Sequence, residues 1–540
     1  MSLLFRQMTF FYFMLKIYNF NPDTKYYGLY ITTTPVFLLR DLELIKTVLV
    51  KNFDAFPNRF GFADVIDSLL KKTLFSLRGE KWRNVKNLLN PSFISSKMKI
   101  MFASMMRNVL WISNDIIHLP PLPLFGSTIS MVFRRISFFD FMLKIYNCYP
   151  NAKYFGFYFT TTPVFLLRDL ELIKSVLVKN FDAFPDRRGF ADFNDPLFEK
   201  NLFSLHGEKW RNVRNLLSPS FISSKMKMMF TLMSECAVNF AKFLSTLSAD
   251  KGGINMKDVC SKYTTDVIAT CAFGIKVNSM KDPTNKFYIY GKEASNFTGV
   301  LRDKEGRREL DMTAQAFIFF LGGFETTSTA MCFAAHEIAA NPEIQTNLQQ
   351  EIDKVLEESN GEVSYETINR LEYLDAVICE TLRLYPPVAI LERLCEKTFE
   401  LPPALPDEKS FIMKKGMLIW IPVLAIHNDE KYYDNPKKFD SERFLNNKMN
   451  NSSNYMPFGL GPRMCIANRF AILKVKVLLF HLLAQCELKP CVKTMSPYIN
   501  KYRIKFCKDS LPRLPENGFW LNIQRRKNIH SIQASTIMDS

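Results

Sequence analysis

Apolar residues dominate from Asp311 to Ala340, a run long enough to predict an extended buried helix. Asn341 and Pro342 stop it and suit the cap and first position of the next helix, which runs to about Asn360-Gly361. A third helical pattern covers about Leu371 to Tyr385. Pro386-Pro387 ends it, because proline cannot donate to the helix ladder and disfavours helix in the residue before it. Prolines stay dense as far as Pro457, so that stretch reads as irregular backbone with short strands, and an amphipathic helix is expected after Cys465. The coarse pattern is mostly helix. At the start of the chain, Arg6 and Lys16 break an apolar, aromatic stretch, leaving no uninterrupted run of the ~20 residues a membrane helix needs. No short apolar run there ends in a small-residue cleavage site, so no signal peptide is expected.

The chain also repeats itself. FFYFMLKIYNF from Phe10 returns as FFDFMLKIYNC from Phe138, Thr32 to Pro57 returns at Thr160 to Pro185, and Gly79 to Lys99 returns at Gly207 to Lys227. A solenoid needs three or more stacked units of about 20–50 residues, whereas this is one longer piece present twice, so partial duplication is the better account. Between the copies, His118 to Ser127 is proline-rich and reads as an extended hinge rather than core. The organisation expected is a partial duplicate plus hinge over residues 1–126 and a functional domain over residues 127–540.

Composition removes several classes of function. With 47% hydrophobic and 23% charged residues the chain is globular, and its formal charge of +17 comes from basic residues spread along the sequence, not from runs. A nucleic-acid arm is therefore a poor reading, and a basic surface for an acidic partner or anionic lipid fits better. Eleven cysteines, without a C-x-x-C pair, argue against a disulfide scaffold or a structural zinc site. His427, in AIHNDEKYY, reads as a polar loop residue.

Three segments carry chemistry. Phe458 to Ala471 sets Cys465 after a turn containing Gly459 and Gly461, at the start of a helix. There the helix N-terminal dipole and free N–H groups favour a thiolate, and the glycines let the backbone approach a flat group. Leu321 to Ser328 has Gly322-Gly323 in mid-helix, where each glycine costs ~1 kcal/mol against alanine, so the pair implies a need for room. Glu325 and Thr326 follow it and can relay protons. An acid at the centre of a membrane span would cost ~2.5–3.5 kcal/mol, so a core helix is the better reading. Glu380 and Arg383 stand at i and i+3, where they can pair on one helix face.

Taken together, F-x-x-G-x-R-x-C ending at Cys465, G-G-x-E-T-T from Gly322 and E-x-x-R from Glu380 resemble the cytochrome P450 family, over about Ile136 to Ile523 and in the family's order. The resemblance is nearest to insect microsomal members. It implies a mainly α fold with a small β lobe, and haem as cofactor with Cys465 as the iron ligand. Phe458 and Arg463 belong to the haem loop, and Arg463, Trp210, Arg214 and Arg393 are implied contacts of the haem edge. The first copy has Trp82 with Lys86; lysine does not replace arginine's planar fork, so haem binding falls to the second copy. Thr326 is the implied oxygen-side hydroxyl and Glu325 its acidic neighbour, while Arg443 completes Glu380 and Arg383 in folding and haem retention. Ala467 stands where the family has glycine, and Ser441 where it more often has proline.

The implied activity inserts one oxygen atom from O2 into lipophilic small molecules. With no nucleotide-binding glycine motif on this chain, electrons come from another protein, an NADPH-P450 reductase at the basic face near Cys465. The implied location is the cytoplasmic face of the endoplasmic reticulum membrane, the microsomal fraction, with no nucleic-acid partner. After Gly274 the family continues through further helices that roof the substrate pocket. Here Gly322 follows too soon, so a loss near Val300-Leu301 is expected. A catalytically impaired haem-binding remnant is the alternative. A haem-thiolate isomerase would not need Thr326 and Glu325.

Overall fold

The computed structural model describes residues 24–31, 34–52, 111, 114–120, 126–133, 135–189, 195–247, 253–295, 307–447, 453–494, 506–507 and 514–526. The chain divides into two compact units, residues 1–103 and 104–540. In the first, strands β1 (Tyr26–Ile31) and β2 (Thr34–Leu39) form an antiparallel hairpin. A short helix α1 (Leu42–Lys46) follows, its first turn closed by the Asp41 carboxylate accepting from the Leu44 N–H.

In the second unit, after a short helical turn at Ile129–Val132, come α2 (Phe138–Tyr146) and the same hairpin and helix again as β3 (Tyr154–Phe159), β4 (Thr162–Leu167) and α3 (Leu170–Lys174). Helices α4 (Gly207–Leu217) and α5 (Ser223–Thr246), strand β5 (Ile254–Asn255) and α6 (Met256–Phe273) come next. After them run α7 (Lys286–Ser295), α8 (Arg307–Ala340), α9 (Pro342–Glu358) and α10 (Glu372–Leu384). The proline-rich stretch supplies β6 (Leu391–Leu394), β7 (Phe399–Leu401), β8 (Phe411–Met413) and β9 (Leu418–Ile421), and the chain continues through α11 (Asn468–Gln485), β10 (Cys486–Pro490) and β11 (Trp520–Arg525). The sheet order β3-β4-β9-β6 joins the repeat to the later strands, with β4 and β9 parallel at Val164–Leu418 and Phe165–Ile419. The main core lies between α5, α6, α8, α10 and α11.

Closely similar sequence gives the same local structure in the described parts of the two copies but different burial. Tyr26 pairs with Leu39 as Tyr154 pairs with Leu167. Yet Tyr26 and Phe37 are 54% and 68% exposed, against 1% and 0% for Tyr154 and Phe165. Phe165 is enclosed by the rings of Trp111 and Phe411 and by β9, a set of partners that the chain contains once.

Several expectations change in detail. The long helix begins at Arg307 and packs against α6, α10 and α11, and more than half of its apolar stretch Met312–Ala340 is buried among them. Asn341 and Pro342 stand at the cap and first position of the following helix as expected, but the Asn341 side chain does not cap it: its amide donates to the Glu337 carbonyl and so closes the preceding helix. The last long helix, α11, is not amphipathic but buried nearly all round, Lys474 and Lys476 included. The described ends of the proline-rich connection are extended but not free of the core. Leu119 donates to the Gly156 carbonyl, Ser127 donates to that of Tyr158, and just before them Trp111 is fully buried against Gly156. Among the described residues between Gly274 and Gly322, α7 is the only helix before α8 begins.

Candidate functional site

The loop that carries Cys465 is shaped by two residues in the left-handed region, Gly459 (φ 81°) and Gly461 (φ 72°). A side chain at Gly461 would collide with the Leu177 carbonyl, 2.0 Å from an added Cβ. This glycine therefore serves the packing of the loop on the repeat, where the sequence suggested an approach to a flat ligand. The Cys465 N–H donates to the Phe458 carbonyl, and two arginines clamp the loop backbone: Arg187 on the Arg463 carbonyl (2.7 Å) and Arg214 on that of Met464 (2.9 Å). Cys465 keeps an exposed face, yet burial of its sulfur pushes the thiol upward. A bond from the Ala467 N–H, then the charges of Arg187 and Arg214, act in the other direction but do not win, so the expected thiolate needs a cation on the sulfur.

Arg463 is buried, and most of its donors are committed. Nε donates to the Pro185 carbonyl, and Nη2 to the Asp186 carboxylate (2.8 Å) and the Leu205 carbonyl, while the guanidinium lies over the Trp210 ring at 4.1 Å. Asp186 also accepts from the Gly207 N–H at the start of α4, tying together the cysteine loop, the repeat and the helix that bears Trp210 and Arg214. Arg393, on β6, is fully buried and donates from Nη1 to the Glu392 carbonyl. Its Nε and Nη2, and Nη1 of Arg463, are buried with no partner among the described residues. Burial and the charges of Arg187 and Arg463 hold Arg393 well below its usual range, and burial does the same to Arg463 ahead of the charges of Arg187 and Arg214.

Guanidinium groups do not readily deprotonate, and an unsatisfied buried cation is costly. The cluster therefore calls for an anion with several acceptors. Two carboxylates on a flat, largely apolar group beside Cys465 meet that demand, so these residues fit haem. Arg187 and Asp186 were not singled out from the sequence. The signal available was Asp186 itself, because the matching residue of the first copy is Asn58.

On α8 the glycine pair divides its work. An added Cβ at Gly322 would meet nothing within 4 Å, which gives the room the sequence implied, whereas one at Gly323 would press on Ile268 at 3.1 Å. Thr326 and Glu325 do not share a partner. The Thr326 hydroxyl donates to the Gly322 carbonyl one turn back, whereas the Glu325 carboxylate pairs with Lys257 of α6 at 2.7 Å. Successive helical residues point in different directions, so adjacency in sequence does not bring these two side chains together.

Glu380 and Arg383 form a two-pronged pair at 2.7 and 2.8 Å with both side chains fully buried, unlike an ordinary surface pair. Arg443 lies 3.5 Å from the same carboxylate. His427 is no loop residue: it ends a short buried helix, and its Nε2 accepts from the Met456 N–H while Nδ1 faces the Arg383 carbonyl. It connects the Glu380–Arg383 pair to the stretch leading into the cysteine loop. Burial, helped by the Arg383 charge, pushes its pKa down to about 3, so the ring stays neutral.

The family model for Cytochrome P450 matches residues 6–111, 117–302 and 296–514. Cytochrome P450 9e2 of Blattella germanica is 37% identical over 503 residues, which span 76% of this chain and 92% of that protein. Probable cytochrome P450 9f2 of Drosophila melanogaster is 31% identical over 490 residues, spanning 75% and 93%. Cytochrome P450 6k1 of Blattella germanica is 31% identical over 474 residues, spanning 72% and 89%.

Proposed function

The chain belongs to the cytochrome P450 family and is a haem-thiolate monooxygenase, and from that premise we propose which residues do the work and on what. Haem bound here supplies the activation of O2. Cys465 would hold its iron, on a loop fixed by the Arg187 and Arg214 bonds to the Arg463 and Met464 carbonyls. Arg393 and Arg463, whose buried donors lack partners, would hold its propionates, with the Arg463 guanidinium over the Trp210 ring. Phe458 fixes the loop through its carbonyl, and its ring packs against the main core. On α8 Thr326 holds a hydroxyl beside the space at Gly322, and Glu325 a carboxylate one position earlier, which would serve proton delivery. The observation that carries this reading is the buried arginine cluster with orphaned donors next to the one cysteine in such a loop.

The substrates are lipophilic small molecules, and the electrons come from NADPH-P450 reductase docking on the basic face near Cys465. The site of action is the cytoplasmic face of the endoplasmic reticulum membrane. Within the chain, residues 1–126 are a partial duplicate and residues 127–540 the haem domain, with roof helices lost near Val300-Leu301. Separate family matches over residues 6–111 and 117–302 support the duplication. An alignment of 503 residues that spans only 76% of this 540-residue chain supports the loss. Membership of a monooxygenase family favours the enzyme over an inactive haem-binding remnant. Supplying the chain with reductase, NADPH, a lipophilic substrate and isotopically labelled O2 tests the reading. One labelled oxygen atom is expected in the product, and oxidised product that carries no label, its oxygen having come from water, would contradict it.

A further inference from the structure

We propose that Lys474 is a positioning residue for the oxygen-side turn of α8, reaching across from α11 to hold the Gly323 carbonyl and with it the turn that carries Thr326. The proposal rests on the reading of Thr326 as the oxygen-side hydroxyl, and it begins from a side chain in a costly place. Lys474 and Lys476 are both buried on the helix that follows the cysteine loop. Lys476 pairs with Asp375 at 2.8 Å, whereas Lys474 forms no ion pair among the described residues. Its Nζ donates to the Gly323 carbonyl at 2.7 Å and lies 5.5 Å from the centre of the Phe470 ring. A lysine this deep without a counter-charge costs stability, and local rules broken in this way mark functional sites. Burial holds its pKa down at about 7, but ammonium and neutral amine alike have N–H groups to donate, so the bond does not depend on the charge.

The contact also accounts for the second glycine of the pair. Gly322 leaves open space, but a Cβ at Gly323 would stand 3.1 Å from Ile268 of α6 and 3.9 Å from the Lys474 Nζ. Glycine here lets two neighbours close on the backbone of α8, one apolar and one a donor. Within α8 the same carbonyl takes the Thr327 hydroxyl, as that of Gly322 takes the Thr326 hydroxyl. Hydroxyls bonded four residues back compete with the helix ladder, so the helix's own bonds fix this turn less firmly. An outside donor on the Gly323 carbonyl restores the hold. Lys474 is itself anchored, because the Tyr263 hydroxyl of α6 donates to its carbonyl at 3.2 Å. Helices α6, α8 and α11 thus meet at Gly323, and the helix that follows the cysteine loop is tied to the turn that bears Thr326. Lys474 acts through Gly323 and not on the substrate.

The test uses the full chain loaded with haem and compares the parent with Lys474→Met, which keeps the length and removes the donor, and with Lys474→Gln. The Gln variant keeps a shorter donor and carries the test if Lys474→Met does not fold. Hydrogen–deuterium exchange of the resting protein, read peptide by peptide, should be about tenfold faster over residues 322–327 in Lys474→Met and less so in Lys474→Gln. Exchange over the rest of α8 should stay as in the parent or slow, and the melting temperature should not fall. Product formed per NADPH should drop about tenfold in Lys474→Met, within what a displaced catalytic group can cost. Unchanged exchange over residues 322–327 overturns the proposal. So does faster exchange throughout α6, α8 and α11 with a lower melting temperature, which would make Lys474 an ordinary packing residue. Faster local exchange with unchanged coupling, where Thr326→Ala is uncoupled, also overturns the positioning role. Unchanged coupling in Thr326→Ala would instead remove Thr326 from proton delivery, while the exchange comparison still decides whether Lys474 holds this turn.

Discussion

Asp186 is matched by Asn58 in the first copy and Arg214 by Lys86, and both differences fall on residues that grip the cysteine loop. The Asp186 carboxylate neutralises a buried guanidinium, and removing one partner of such a pair leaves an uncompensated charge. Asp186→Asn should therefore lower stability by about 3 kcal/mol and weaken haem retention, read by thermal unfolding and by the haem-to-protein ratio. An unchanged melting temperature would mean that Arg463 finds another acceptor. The Thr326 hydroxyl donates to the Gly322 carbonyl of its own helix, one turn back. Thr326→Ala should leave the haem content intact and divert reduced oxygen to peroxide, measured as product per NADPH consumed. Equal coupling would take Thr326 out of proton delivery.

Helices were the most legible elements, because their signals are local. The pattern ending at Ala340 and the one bounded by Pro386-Pro387 match α8 and α10 to within a few residues. What sequence did not reveal depends on which element lies opposite. Nothing in the local pattern of α11 says that its lysines face protein and not water. Nor does the local pattern near Glu325 reveal Lys257, which lies far earlier in the chain. Lys474 makes one of these hidden features measurable. Its Nζ donates to the Gly323 carbonyl at 2.7 Å, and burial depresses its pKa from 10.5 to about 7, against a small upward effect of Cys271. Between about pH 7 and 10.5 the unfolded chain binds this proton and the folded chain does not, so this group makes stability rise with pH across that window. Lys474→Met should remove that rise and stabilise the protein at pH 7 by roughly 1–4 kcal/mol, as replacing a buried charge by an apolar side chain can. Parallel stability–pH curves for parent and variant would show that Lys474 stays charged throughout.

At the scale of the molecule, the repeat shows that local sequence sets the hairpin while tertiary partners set its burial. Phe37 and Phe165 occupy the same place in the same hairpin, and only one of them meets Trp111, Phe411 and β9. Those partners also locate the boundary that matters for dissection, because Trp111 precedes the proline-rich connection yet belongs to the second unit. A chain starting at Ser104 should bind haem like the full protein. One starting at Ser127 should lose about 3–5 kcal/mol through the missing Trp111, measured by thermal unfolding and haem content. Failure of the Ser104 chain alone would give the first copy a structural role. All of this presumes that a cysteine thiolate holds the iron, and the visible spectrum of the reduced, carbon-monoxide-bound protein reports that bond directly. The parent should show the strongly red-shifted Soret band of thiolate ligation and Cys465→His should lose it; a variant that keeps the band would contradict Cys465 as the ligand and the site built around it.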